Sequence, residues 1–129
     1  MSAPELFNPD TVAPPVGPYS QAGWVKAGSD LLYIAGQVGL TPEGVLPADV
    51  EAQAEQAFAN IARILASAGL TPANLVKINT YLVSGQPVTA VRAARQKAFG
   101  DHKSASTLIF VPQLVEPKYL IEVEAVAAR

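Results

Sequence analysis

Cysteine is absent from this chain of 129 residues, which excludes disulfides, thiolate catalysis and zinc sites built on thiolates. No run of basic residues is present, and 9 lysines and arginines against 11 aspartates and glutamates give a net charge of −2. Nucleic acid is therefore not an expected partner. No stretch approaches the roughly 20 apolar residues of a membrane span, and the N-terminus lacks the basic and apolar regions of a signal peptide. We expect a single cytoplasmic domain, residues 1–129, with no membrane partner.

Histidine is also scarce, because His102 is the only one and lies in a polar Gly-Asp-His-Lys segment. No second ligand is spaced to join it in a metal site. Phosphate-binding loops and catalytic-triad signatures are missing from the sequence as well. The residue types therefore predict no metal site.

The clearest pattern that is present is a helical period over residues 49–69. Its apolar residues recur at steps of four, three, four and three, which places them on one face of a helix. They are Ala54, Phe58, Ile61, Leu65 and Ala68. Asp49 can accept hydrogen bonds from the first-turn amides, and Gly69 can adopt the left-handed conformation that ends a helix. The segment predicts an amphipathic helix packed on a sheet.

The remaining segments predict strands and one weaker helix. Residues 1–18 hold five prolines, which indicates an extended N-terminal arm over residues 1–16. Strands are expected at 19–26, 31–38, 75–83, 107–111 and 120–128, and a second helix at 87–99. The polar turn after the first strand suggests that the first two strands form a hairpin. This order predicts an α+β fold, a mixed β-sheet with two helices packed on one face.

The second face of that sheet has no helix left to cover it. Residues 31–35 and 107–111 are apolar on both faces of their strands, so both faces need burial. Another copy of the chain is the simplest cover. Single exposed apolar residues are also common on monomers, and that alternative stays open at this point.

Five short signatures occur in order along the chain. They are Gly-Pro-Tyr-Ser-Gln-Ala at 17–22, Ala-Gly-Gln at 35–37, Gln53 through Asn60-Ile61 to Ala68-Gly69-Leu70, Val76-Lys77, and Ile-Glu-Val-Glu-Ala-Val-Ala at 121–127. Together they resemble the Rid family, the reactive-intermediate deaminases also named after YjgF and RutC. The resemblance implies a chorismate-mutase-like fold and a homotrimer with a central barrel and small-molecule clefts between subunits. It also implies hydrolysis of enamines and imines to 2-keto acids and ammonia, with no cofactor.

The same resemblance implies roles for single residues. Glu122 corresponds to the family glutamate that orients the attacking water, whereas spacing alone would make Glu122 and Glu124 a solvated strand face. Tyr19 corresponds to the tyrosine that borders the cleft, and Gly36 to the glycine whose backbone approaches the ligand. Glu122 is thus the implied catalytic residue, and Tyr19 and Gly36 are implied substrate-binding residues.

Three substrate-binding positions depart from the family pattern. Ser106 stands where an arginine grips the substrate carboxylate, and a serine cannot supply that charge. Ala35 replaces a usual serine, and Arg92 replaces a usual asparagine. By default Arg92, Arg95 and Lys97 form a solvated helix face, and the alternative is that Arg92 enters the cleft as a relocated clamp.

These departures predict a divergent member that lacks the catalytic arginine, has an altered substrate and acts weakly on the usual 2-imino acids. An enzyme would show water-dependent turnover that requires Glu122. The alternative is a non-catalytic trimer that binds a small ligand or another protein.

Overall fold

A computed structural model describes residues 3–129 of the chain. Its elements are β1 (Glu5–Phe7), β2 (Ala22–Trp24), β3 (Leu31–Gln37), α1 (Val50–Ser67), a 3₁₀ turn (Pro72–Asn74), β4 (Leu75–Val83), α2 (Val88–Phe99), β5 (Ala105–Val111) and β6 (Ile121–Ala128). Four strands form one sheet in the order β3-β6-β4-β5, in which β4 and β5 run parallel and the other neighbours antiparallel. The predicted α+β fold with a mixed sheet is confirmed. Among residues 3–129, no helix has the length and apolarity that a membrane crossing requires.

The predicted hairpin between the first two strands is wrong, because β2 pairs with β1 in a separate two-stranded sheet. The turn itself exists, with Gly28 at a φ of +84°. The chain that leaves it pairs instead with the last strand, and Asp30 and Arg129 exchange two backbone hydrogen bonds of 3.1 Å each. The arm is extended as expected, with β1 inside it and no helix in residues 3–16, while residues 1 and 2 lie outside the described part.

The first helix has the ends and the face that its sequence predicts. The Oδ1 atom of Asp49 accepts a hydrogen bond of 2.7 Å from the Ala52 amide, and Gly69 has a φ of +74°. Phe58, Ile61 and Leu65 are fully buried. Both helices lie on the same face of the sheet, since α1 packs on α2, β6 and β3. That face holds the core.

A buried glutamine fixes where the last strand begins. The Gln53 side chain is 1% exposed, and its Nε2 atom donates to the carbonyls of Pro47 at 2.9 Å and Lys118 at 3.1 Å. Its Oε1 atom accepts from the Leu120 amide at 2.9 Å. Buried amides that satisfy backbone groups in this way hold a loop in one position. The network therefore sets the start of β6 and the placement of Glu122, two residues beyond Leu120.

The other face of the sheet is uncovered in the single chain. Leu31 is 48% exposed, Tyr33 75% and Ile109 46%, although all three are apolar or aromatic. The alternation of β6 directs Ile121, Val123 and Ala125 into the core, so Glu122 and Glu124 lie on this open face. The prediction that these strands carry apolar residues on both faces is confirmed. That another copy of the chain covers the open face stays a prediction.

Candidate functional site

A cavity of about 540 Å³ lies between the loop of residues 16–21, helix α2 and strands β4 and β5. Three of the residues singled out from the sequence line it, namely Tyr19, Arg92 and Ser106. The loop is held against the strand because the Ser20 amide donates to the Ser104 carbonyl at 3.1 Å and Ser20 pairs with Ala105 as an isolated bridge. The volume lies within the range of small-ligand sites, roughly 300–1,000 Å³.

Tyr19 is oriented by its own loop. Its amide donates to the Gly17 carbonyl at 2.9 Å, and its hydroxyl oxygen accepts from the Val16 amide at 3.3 Å. Because that oxygen acts as the acceptor, the hydroxyl hydrogen is left to donate. Tyr19 can therefore offer one hydrogen bond to a ligand in the cavity.

Arg95 also lines the cavity, and its expected place on a solvated helix face is wrong. Its Nη1 atom donates to the Ser106 hydroxyl at 3.0 Å, and its Nη2 atom donates to the hydroxyl of the fully buried Ser104 at 3.5 Å. Burial lowers the pKa of the Arg95 guanidinium, which nevertheless stays charged. A signal was available, because Arg95 lies seven residues after Val88 and four after Val91, the spacing of the inward face.

The cavity wall is strongly positive. Lys77, Arg92 and Arg95 line it, and no aspartate or glutamate does. The Nζ atom of Lys77 donates to the Thr107 hydroxyl at 2.8 Å. The ion pairs of residues 3–129 lie elsewhere, at Lys97 with Glu55 and at Arg129 with Asp30. Within the described chain, the three cavity cations therefore have no carboxylate partner.

A second cluster of implied site residues lies on the open face of the sheet. The register of β3 on β6 shifts between Ile34 and Gln37, so Ala35 and Gly36 sit in a bulge. A Cβ atom on Gly36 would lie 1.9 Å from the Oε2 atom of Glu122. Only glycine at this position leaves room for the Glu122 carboxylate against the strand.

The second glutamate of β6 is bound differently. The Tyr81 hydroxyl donates a short hydrogen bond to the Oε1 atom of Glu124. That bond, burial and the charges of Glu124 and Glu122 all raise the pKa of Tyr81. The two carboxylates thus differ in surroundings, because Glu124 is engaged by a phenol and Glu122 lies against Gly36.

Comparison with known proteins decides the family. Residues 10–129 match the family model described as Endoribonuclease L-PSP. A RutC family protein of Pyrococcus horikoshii is 34% identical over 126 residues, which cover 95% of this chain and 96% of that protein. The chain is a Rid family member. The 2-iminobutanoate/2-iminopropanoate deaminase of Escherichia coli is 34% identical over 119 residues, covering 88% of this chain and 89% of the enzyme.

The fold of this Rid protein agrees with a solved relative. The crystal structure of a Rid family protein of unknown function from Yersinia pestis matches with a TM-score of 0.85 and 35% identity. The match covers 99% of this chain and 100% of the other. The two helices on a mixed sheet are therefore the fold of the family.

In this Rid chain the implied site residues fall into two groups. The cavity group is Tyr19, Arg92 and Ser106, and the strand group is Ala35, Gly36 and Glu122. No residue of the strand group lines the cavity. The cavity group offers one cation and two hydroxyls to an anion, and Lys77 and Arg95 add two cations beside it. The strand group offers a carboxylate that can orient water. Within residues 3–129, no three His, Cys, Asp or Glu side chains are grouped to hold a metal ion.

Proposed function

We propose that this protein acts in the cytoplasm as a homotrimer that hydrolyses imines or enamines in clefts shared by neighbouring subunits. The carrying observation is the division of the site, with a cationic cavity on one part of the chain and Glu122 on the open face of the sheet. A neighbouring copy that covers the open face would bring its cavity group to Glu122. The similarity to the 2-iminobutanoate/2-iminopropanoate deaminase supports the reaction class.

The chemistry follows from these groups. An acid group of the ligand binds to the cavity cations, which leaves the imine carbon facing a water held by the Glu122 carboxylate. Glu122 takes a proton as the water oxygen bonds to the imine carbon and the C=N bond becomes a C–N single bond. That proton passes to the nitrogen, which gives a carbinolamine. The proton of its new hydroxyl then moves to the nitrogen through the Glu122 carboxylate while the C=O bond forms and the C–N bond breaks, so that ammonia and a carbonyl compound leave. Every atom comes from the substrate and one water, so the reaction consumes no oxidant or reductant.

The assembly is the first expectation to test. A chain that exposes apolar residues such as Leu31, Tyr33 and Ile109 on one sheet face is expected to bury them against copies of itself. Light scattering at micromolar concentration should return three times the 13.5 kDa of one chain. A stable mass of one chain across that range would contradict the trimer and every site shared between subunits.

Turnover is the second expectation. Imines are generated in situ, 2-iminobutanoate from threonine by a dehydratase and others by amino-acid oxidases, while semicarbazide traps what is not hydrolysed. At least one imine should disappear faster with the protein than without it. Because Ser106 replaces the usual clamp, 2-iminobutanoate should be hydrolysed at least about tenfold more slowly than by the Escherichia coli relative assayed in parallel. No acceleration of any imine would contradict the proposed reaction.

A non-catalytic trimer is the alternative, and it predicts saturable binding of a small acid or a protein without turnover. The family description also names an endoribonuclease. Lys77, Arg92 and Arg95 lie together in one cavity of small-ligand size, which favours a small acid over an RNA strand. Incubation with RNA is therefore a useful control that should yield no cleavage.

A further inference from the structure

The Arg95 guanidinium is charged, half-buried and without a carboxylate partner among the described residues. Its hydrogen bonds go to two neutral hydroxyls, those of Ser106 and Ser104. A buried charge that is compensated only by hydroxyl groups carries a desolvation cost that an anion would offset. A guanidinium has five donors, so the two bonds to serine leave others for a ligand.

Ser106 is more than the loss of the family's carboxylate-binding arginine, because its hydroxyl accepts a hydrogen bond from Arg95. Its short side chain lets the guanidinium of α2 reach the strand position where the family resemblance places an arginine. An arginine at position 106 would instead set a second cation against Arg95. The positive charge that the family pattern places on β5 is thus supplied by Arg95 of α2, whose guanidinium donates hydrogen bonds to the Ser104 and Ser106 hydroxyls.

Arg92 lies one helical turn before Arg95, on the same side of α2. Like charges three residues apart repel each other, and Lys77 adds a third cation to the same cavity. An anion with a single charge would leave most of this charge uncompensated. A ligand with two acid groups would compensate more of it, with one acid group at Arg95 and the other at Arg92 and Lys77.

We propose that Arg95, held by Ser104 and Ser106, binds the substrate carboxylate, and that Arg92 and Lys77 bind a second acid group, which makes the substrate class small dianionic imino acids. This inference rests on the proposed function for the reaction, but its binding part can be tested without turnover.

The test measures binding of two stable product-like acids by calorimetry at low salt, 2-oxoglutarate with two carboxylates and 2-oxobutanoate with one. The native protein should bind 2-oxoglutarate about tenfold or more tightly than 2-oxobutanoate. Arg95→Met should weaken both acids by about tenfold or more, because both would lose the shared contact. Arg92→Met should weaken 2-oxoglutarate alone and so reduce the difference between the acids.

Lys97→Met is the matched control, since it removes one positive charge from the same helix outside the cavity, where Lys97 pairs with Glu55 at 3.2 Å. It should leave both affinities within about twofold. Arg95→Lys covers the case in which Arg95→Met does not fold, and it should retain part of the affinity because it keeps the charge but loses the planar fork.

Equal affinity for the two acids would overturn the proposal, as would unchanged binding in folded Arg95→Met or an equal loss in Lys97→Met. These outcomes differ from a failure of the proposed function. A protein that binds 2-oxoglutarate through Arg95 but hydrolyses no imine would confirm the binding site and refute the reaction. If the protein hydrolyses imines and Arg95→Met does so at an unchanged rate, the reaction is confirmed and the binding site is refuted.

Discussion

Replacing Glu122 with glutamine is expected to reduce imine hydrolysis by about 10²- to 10⁴-fold, the range of a positioned general base. Glutamine has nearly the same shape but cannot take a proton from the attacking water. The side chain lies on the open face, outside the core, so the free energy of unfolding and the mass of the assembly should stay close to native. Steady-state kinetics with the best imine, together with thermal unfolding, measures both effects.

The neighbouring glutamate is the matched control for this change. Glu124 lies on the same strand face, but its carboxylate accepts the hydrogen bond from the Tyr81 hydroxyl. Glu124→Gln should therefore lower kcat/KM less than Glu122→Gln does, by no more than about tenfold. Unchanged activity in folded Glu122→Gln would remove this residue from the mechanism.

Gly36→Ala is expected to reduce the same activity by about 10²-fold or more without a comparable loss of stability. The added Cβ would lie 1.9 Å from the Glu122 Oε2 atom and 2.8 Å from its carboxyl carbon, so the carboxylate must move. A displacement of about 1 Å in a catalytic group is enough for a 10²-fold loss. Because the far end of a flexible side chain can rotate away, the cost in unfolding free energy should stay near 1 kcal/mol.

A double-mutant cycle shows whether Gly36 acts through Glu122. If the alanine works only by displacing that carboxylate, the double variant Gly36→Ala with Glu122→Gln should be no slower than Glu122→Gln alone. Losses that multiply in the double variant would indicate a separate role for Gly36. A native rate in folded Gly36→Ala would show that the close approach does not matter for turnover.

The helical part of the fold could be predicted because its signals are local. The period of Phe58, Ile61 and Leu65 and the cap at Asp49 depend on residues within a few turns of each other, and the structure places them as expected. The pairing of β2 with β1 could not be predicted in the same way, because it depends on residues far apart in sequence. A turn such as the one at Gly28 marks a change of chain direction, but it does not specify which strand the segment after the turn will pair with.

The site could be predicted only in part, for a related reason. Motif similarity picked out Glu122 and Gly36, and the structure brings these two side by side. It could not pick out Arg95, since that position carries no family motif, and its charge suggested solvent. Its spacing after Val91 indicated the inward face of the helix, whereas its charge indicated solvent. The Arg95 side chain lies inward because the hydroxyls of Ser106 on β5 and Ser104 beside it accept its hydrogen bonds.

The most direct test of a cleft shared between subunits is activity in mixed trimers of two inactive variants. One is Glu122→Gln, and the other is a cavity variant, Arg95→Met or, if that keeps activity, Ser106→Trp, which fills the cavity. When the two variants are mixed one to one and assemble at random, each cleft takes its cavity from one subunit and its glutamate from the neighbour. Each of these two parts is intact in about half of the cases, so about a quarter of native activity should return. A site contained in one chain would give no recovery, and trimers shown by mass to be mixed but inactive would contradict the shared cleft.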